Sequence, residues 1–279
     1  FDVQDKISEE IVSTFVGRVE ADTLENIKLR RPENLDSYDF VLQGLEYAKR
    51  GNVIKENTET ALKLFEKAIE TEPSYARAHA WRACTLSNLA DWEEDPDPEL
   101  FKGAIKSAKL ALELDPSEPE VHRIIGALKL WHERDHDMAK YHFEKARELC
   151  PSDVFIISRY AIMLIYFCEF DKALSELNRA KRLDPFSHDL LFGPEGICQY
   201  YLGNYDEATK AFNKVKVKKN YLFYIALSYK KMGNEDQAND KLTEAFAITG
   251  MSINSFIYSQ PFVENKIIET LKNDLKSIK

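Results

Sequence analysis

The sequence predicts an all-α protein of about six helical hairpins stacked into a right-handed superhelix and closed by a capping helix. The stretch FDKALSELNRAKRLDP, residues 170–185, places Ala173, Leu177 and Ala180 on one helical stripe and ends at a proline. The same frame recurs at Ala61, Phe65, Ala68 and Pro73; at Ala104, Ala108, Ala111 and Pro116; and at Ala139, Phe143, Ala146 and Pro151. Successive terminal prolines lie 43, 35 and 34 residues apart, a period typical of stacked helix pairs.

Composition limits the class of protein. With 44% hydrophobic and 30% charged residues in 279, the chain is expected to be a soluble folded protein, and it has no apolar run of the roughly 18 residues that a membrane span needs. The net charge of −9 argues against general nucleic-acid binding, which needs a basic surface. The four cysteines are far apart and form no CxxC pair, which favours small core residues in a reducing, cytoplasmic compartment.

The first 33 residues are predicted to be a separate helical segment. Apolar residues recur there at four-residue steps, which indicates an amphipathic helix that needs a partner for its apolar face: Val3, Ile7, Ile11, Phe15 and Val19. Because Phe1 is followed by polar residues and no Met precedes it, we expect a piece of a longer protein without a signal peptide at this end.

Residues 34–250 are predicted to form the hairpins. The first pairs a helix over 35–49 with one over 60–72, joined by residues 51–58. The second begins at Tyr75 and contains the acidic loop DWEEDPDPE, residues 91–99, which is either a solvated turn or a binding loop.

The third and fourth hairpins cover 121–151 and 154–185. In the fifth, Phe192-Gly193-Pro194 is expected to break the first helix. The Gly-Asn pairs at 203–204 and 233–234 predict tight turns inside the fifth and sixth hairpins. Residues 251–279 are predicted to be the capping helix.

Two motifs suggest chemistry, and both have a structural explanation. His132 to His136 matches HExxH, the zinc-protease pattern, but the repeat frame places it in a turn between helices, where a solvated turn is favoured over a metal site. Lysines at 214–219 and at 230–231 could meet an acidic peptide or phosphate, but a solvated face is favoured. No phosphate-binding loop or nucleophile motif occurs, so neither an enzyme nor a cofactor is predicted.

The expected binding surface is the concave groove lined by the first helix of each hairpin. Arginine and aromatic residues, which are enriched in binding hot spots, project toward it. Aromatic residues at helical spacing are also frequent in cores, so part of the set is expected to be buried. The candidates are Arg77, Arg123, Trp131, Arg159, Tyr166, Tyr200, Tyr201, Phe223 and Tyr224.

These repeats resemble the tetratricopeptide repeat (TPR) family, from about Phe40 to Gly250. The ends are similar to more specialised proteins: FDVQDKISEEIV looks like the closing helix of a TolB-like domain, RPENLDSYDFVLQGLEY like its junction with such repeats, and SQPFVENKIIETLKNDL like their usual ending. In those bacterial signalling proteins the module follows an adenylate or guanylate cyclase domain or a winged-helix domain. The resemblance implies a non-catalytic module that binds a protein or peptide segment and regulates an output domain outside this sequence.

The alternative is a self-association role. Here the repeats would dimerise and position the output domain, through the helix at 3–19 or the apolar face of the terminal helix. Such a scaffold would tolerate mutation of the groove.

Overall fold

The structure is a computed structural model that describes residues 35–51, 55–90, 97–186 and 188–278. Within these ranges it contains 14 α-helices and no strand, which confirms the predicted all-α class. None of the described helices is both long and apolar enough to cross a membrane. The predicted N-terminal segment, 1–33, and most of the acidic loop, 91–96, lie outside the described residues.

The described residues form two compact units, an N-terminal unit that ends at Pro151 and a C-terminal unit that begins at Ser152. The N-terminal unit contains three helical hairpins, and its middle hairpin packs against both of the others. Its helices are α1 (Leu35–Gly51) with α2 (Lys55–Thr71), α3 (Ala76–Ala90) with α4 (Pro98–Leu114), and α5 (Pro119–Leu128) with α6 (His136–Leu149).

The C-terminal unit contains three further hairpins and two terminal helices. The hairpins are α7 (Val154–Tyr166) with α8 (Phe170–Leu183), α9 (His188–Tyr201) with α10 (Tyr205–Lys214), and α11 (Leu222–Lys231) with α12 (Glu235–Thr249). Helices α13 (Ile253–Ser259) and α14 (Asn265–Lys276) follow. The described residues thus hold the six predicted hairpins, and the predicted capping region contains two helices instead of one.

The alanine frame forms the hairpin cores, and the small residues allow close approach. Ala61, Phe65 and Ala68 are fully buried. A Cβ on Gly44 would lie 2.5 Å from the Phe65 ring, and one on Gly196 would lie 2.4 Å from Phe212. Each ring therefore packs on the bare backbone of the partner helix. This is why an aromatic residue and a glycine stand at matching positions of a hairpin.

The turns within the fifth and sixth hairpins confirm the role predicted for their Gly-Asn pairs. Gly203 and Gly233 have φ angles of +81° and +78°, in the left-handed region that glycine adopts without steric cost. The following asparagines precede the first residues of α10 and α12.

Two predicted boundaries are wrong. Helix α2 begins at Lys55 instead of Thr60, because no residue in KENTE stops a helix and Glu56 is favourable in its first turn. Helix α9 continues through Pro194, although a proline inside a helix costs about 3 kcal/mol. Packing offsets that cost, since Leu191 is fully buried before the proline and the Glu195 carboxylate pairs with Lys181 at 2.6 Å after it.

Candidate functional site

The nine predicted groove residues are divided between the two units, and their exposure differs. Four are buried: Arg123, Tyr200, Phe223 and Tyr224. Five are half-buried: Arg77, Trp131, Arg159, Tyr166 and Tyr201.

In the N-terminal unit, Arg77 connects two hairpins. Its guanidinium donates to both carboxylate oxygens of Glu118, from Nη2 at 3.1 Å and from Nε at 3.3 Å. The Glu118 carboxylate also accepts the backbone N–H of Glu120 and so caps the start of α5. Arg77 therefore fixes the start of the third hairpin on the second.

Arg123 is part of the core of the N-terminal unit. Its side chain is 4% exposed, its Nε donates to Glu120 at 2.6 Å, and its guanidinium carbon lies 4.9 Å from the Trp81 ring centroid. Burial opposes the charge, but Glu120 and Cys84 outweigh it, so the pKa of Arg123 is raised above its ordinary value. The structure therefore gives Arg123 a packing contact between α3 and α5.

The HExxH residues do not share a helical face. His132 lies in the π-helical turn Lys129–Glu133, Arg134 has a left-handed φ of 55°, and His136 begins α6. The His132 ring packs 4.6 Å from Phe101, and its Nε2 lies 2.7 Å from the Ser87 hydroxyl. The prediction of a solvated turn is therefore wrong for His132, which is held by the preceding hairpin. Among the described residues no group of three or more potential ligands could hold a metal ion.

Other histidines of this unit form contacts that the sequence analysis does not predict. His79 Nε2 lies 2.8 Å from the carbonyl oxygen of Pro73, and His122 Nε2 lies 2.9 Å from that of Pro116. Burial lowers the pKa of both imidazoles. Each histidine follows its proline by six residues, so the spacing is a signal that sequence reasoning could have used.

In the C-terminal unit, Tyr166, Tyr201 and Tyr224 come together from the first helices of three successive hairpins. We call these three residues the tyrosine face. The Tyr201 and Tyr224 ring centroids are 6.1 Å apart, and their hydroxyls are 3.5 Å apart. Burial raises the pKa of both phenols well above the ordinary value, so both remain neutral hydroxyls that can donate hydrogen bonds.

The chain itself lies across this face. Residues 260–263, which we call the strap, connect α13 to α14 without helical structure. The Phe262 ring packs 5.0 Å from that of Tyr166 and 5.4 Å from that of Tyr201. The Tyr224 hydroxyl donates to Gln260 Oε1 at 3.0 Å, and the Val263 N–H donates to the Tyr166 carbonyl at 3.0 Å. The strap therefore contacts the first helices of all three hairpins.

The other predicted groove residues of this unit support the face or lie elsewhere. Phe223 stacks on Phe256 of α13 with ring centroids 4.3 Å apart, which makes it a core residue. Tyr200 is buried beside Tyr201 and Tyr224. The Arg159 guanidinium lies 4.8 Å from the ring centroid of Phe155 on its own helix.

Two lysines of the predicted basic cluster hold α14. Lys230 Nζ donates to Glu235 at 2.7 Å and to the carbonyl oxygen of Ser277 at 3.1 Å. Lys231 Nζ pairs with Asp274 at 2.6 Å. These lysines therefore have a structural role, which attaches the end of the chain to α11.

Known protein families and solved structures that resemble this chain agree with this architecture. The tetratricopeptide repeat family model matches residues 221–246, and no curated protein sequence matches the chain. Among solved structures, PilW, a type IV pilus biogenesis factor, is 19% identical with a TM-score of 0.55, covering 78% of this chain and 96% of its own. A tetratricopeptide repeat protein from Parabacteroides merdae is 14% identical with a TM-score of 0.52, covering 99% and 94%.

The Cut9 and Hcn1 complex of the APC/C gives a TM-score of 0.57 at 16% identity, covering 93% of this chain and 53% of the matched one. At these identities the likeness concerns the fold. The family match at 221–246 and the shared fold together support a tetratricopeptide repeat protein.

Proposed function

We propose that this chain is a non-catalytic protein-interaction module whose tyrosine face binds an extended segment of a partner protein. The observation that carries this proposal is the strap, because the face already holds an irregular stretch of polypeptide. Gln260, at its start, and Glu264, which follows it, both have extended backbone angles.

The face offers what an extended segment needs. Tyr166 is the last residue of α7, so its carbonyl oxygen is among those that accept no hydrogen bond from the backbone of their own helix. That carbonyl can accept a backbone N–H, as it does from Val263. The neutral Tyr224 hydroxyl donates to an amide side chain, and the rings of Tyr166 and Tyr201 receive an aromatic side chain. Tyrosine combines such contacts at a low entropic cost, which makes it frequent in hot spots.

The burial pattern divides the nine candidates into contact and support residues. We propose that Tyr166, Tyr201 and the hydroxyl of the buried Tyr224 contact the partner, whereas the buried Tyr200 and Phe223 hold them in place. Arg77, Trp131 and Arg159 are further contact candidates within their own units.

The test compares capture of partners by the wild-type chain, by Tyr166→Ala and by a control, Tyr141→Ala. Tyr141 is 55% exposed on α6, so its loss removes a more exposed tyrosine that lies outside the proposed face. A partner retained by wild type and control but lost by folded Tyr166→Ala supports the proposal. Equal capture by all three contradicts it.

The signalling context is also a proposal. The resemblance of both ends to TolB-linked repeats suggests that this module regulates a nucleotide cyclase or winged-helix output domain in a bacterial, cytoplasmic protein. Determining the full coding sequence tests this, since the parent should encode one of these domains next to the module.

Self-association is the second candidate, and an exposed apolar row on α1 favours it. Leu35, Tyr38 and Leu42 are 75%, 38% and 43% exposed and recur at helical spacing. Sedimentation over a range of concentrations decides between the two candidates, because dimerisation predicts a mass near twice 32.2 kDa. Loss of that mass in Leu42→Glu would locate the contact on α1.

A further inference from the structure

We propose that the strap is an internal ligand: the partner segment carries a glutamine, a proline and an aromatic residue in succession, and it binds by displacing residues 260–263. This inference rests on the proposed function, since it names the chemistry and the regulation of the same face. In the absence of a partner, the binding site of the chain is therefore autoinhibited by its own strap.

The buried parts of the strap define the chemistry that the face recognises. Pro261 and Phe262 are buried, whereas the Val263 side chain is 37% exposed. The tyrosine face contacts the side-chain oxygen of Gln260, and at position 263 it contacts the backbone N–H. The expected partner sequence is therefore Gln-Pro-aromatic followed by any residue except proline, which lacks the required N–H.

The strap can leave the face without unfolding its neighbours, because the helices on both sides have their own anchors. Phe256 fastens α13 to Phe223, and Leu271 and Leu275 are buried on α14. The pairs made by Lys230 and Lys231 fasten α14 to the rest of the unit. Displacement thus exchanges two buried side chains, Pro261 and Phe262, and two hydrogen bonds for equivalent contacts from the partner.

This arrangement sets a threshold for binding. When the strap occupies the face, the apparent affinity for a partner equals the intrinsic affinity multiplied by the fraction of molecules in which the strap has left. Because the strap is tethered, its effective concentration at the face is high, and only a partner of good fit or high local concentration displaces it. Changes that weaken the strap should therefore strengthen the binding of the partner.

The experiment measures the binding of a fluorescent peptide with the sequence of residues 257–265, IYSQPFVEN, to the full chain. Wild type is compared with Phe262→Ala, with the milder Gln260→Ala, and with the control Tyr141→Ala, which lies on α6 outside the strap and the tyrosine face. Fluorescence anisotropy gives the affinity, and circular dichroism checks that each variant is folded.

We expect Phe262→Ala to bind the peptide at least tenfold more tightly than wild type. Gln260→Ala should show a smaller gain, and Tyr141→Ala should match wild type. Adding Tyr166→Ala to Phe262→Ala should abolish the gain. A peptide in which Gln260 and Phe262 are both replaced by alanine should not bind.

Equal peptide affinity in wild type and in folded Gln260→Ala and Phe262→Ala would overturn the internal-ligand proposal. The proposed function is judged separately, by the loss of a captured partner in Tyr166→Ala. Self-association driven by exchange of the strap would appear as a mass of two chains that the peptide reduces to one, and it too would contradict the proposal of a foreign partner.

Discussion

The guanidinium of Arg123 lies over the indole ring of Trp81, with 4.9 Å between the guanidinium carbon and the ring centroid. Arg123 also pairs with Glu120, which is itself 13% exposed in its side chain. An arginine enclosed in this way connects α3 to α5 and presents little charge to a partner. Its substitution therefore tests stability and is unsuitable as a test of binding.

Arg123→Ala should lower the free energy of unfolding by about 3 kcal/mol, because it removes both the cation stacked on Trp81 and the buried ion pair with Glu120. Urea denaturation measures this loss. Lys145→Ala is the control, since its pair with Glu148 is largely solvated and its removal should cost less than about 1 kcal/mol. Equal effects of the two substitutions would show that Arg123 is not a packing residue.

The paired histidines predict loss of stability in acid. The carbonyl of Pro116 can only accept, so His122 Nε2 donates to it and the neutral His122 Nδ1 accepts from His142 Nδ1, 3.0 Å away. Burial, followed by the nearby His122 and Lys129, lowers the pKa of His142 from 6.5 to about 4. The folded state therefore prefers neutral His142, whereas the unfolded chain binds a proton near pH 6.5.

The contribution of His142 is thus fully present above pH 6.5 and is lost as the pH falls toward about 4. The unfolding free energy should drop by about 1 to 2 kcal/mol from this group between about pH 7.5 and about pH 5. His142→Asn, whose amide can still donate to His122, should reduce the pH dependence by that amount. Denaturation curves of both proteins across this range provide the measurement, and identical slopes would contradict the assignment.

Two glycines should respond to alanine in opposite directions. At Gly196 the new Cβ meets the Phe212 ring at 2.4 Å, so Gly196→Ala should destabilise the chain by about 2 to 3 kcal/mol. At Gly103 in α4 the nearest atom is the terminal Cδ1 of Leu86 at 3.2 Å, which needs to move only a few tenths of an ångström, so the gain in helix propensity should stabilise by about 0.5 kcal/mol. Thermal unfolding of both variants tests the hairpin packing, and a neutral Gly196→Ala would refute it.

Tyr224→Phe should loosen the strap without disturbing the core, since only the hydroxyl that donates to Gln260 is lost. A hydrogen bond worth about 1 kcal/mol predicts roughly fivefold faster amide exchange at residues 260, 262 and 263. Mass spectrometry of exchanged peptides measures it, with Tyr229→Phe as the matched control on the same helix. Unchanged exchange would mean that the tyrosine hydroxyl does not hold the strap.

The repeat frame makes the hairpins predictable, because each hairpin must place a small residue opposite a large one in every copy. Gly196 under Phe212 and the Gly203 turn are examples. The rule that a proline ends a helix fails at Pro194. There the packing of Leu191 and the ion pair of Glu195 outweigh the local preference for a break.

The candidate site was predictable only in part. Helical spacing places Tyr166, Tyr201 and Tyr224 on first helices, but it cannot show that the strap, many residues later, covers them. Spacing also cannot distinguish the enclosed Arg123 from an exposed arginine, because enclosure depends on Trp81 in another hairpin. Contacts between distant segments of the chain carry this information, and no local pattern records them.

The most direct test of the account follows the Val263 amide in isotope-labelled wild-type protein while unlabelled peptide 257–265 is added. The account predicts that the Val263 resonance moves from its Tyr166-bound position to that of an extended, solvated amide at roughly millimolar peptide, the effective concentration of a short tether. The Leu271 and Leu275 amides of α14 should stay in place. A Val263 resonance that does not move while the peptide saturates the protein would show that the tyrosine face is not the binding site.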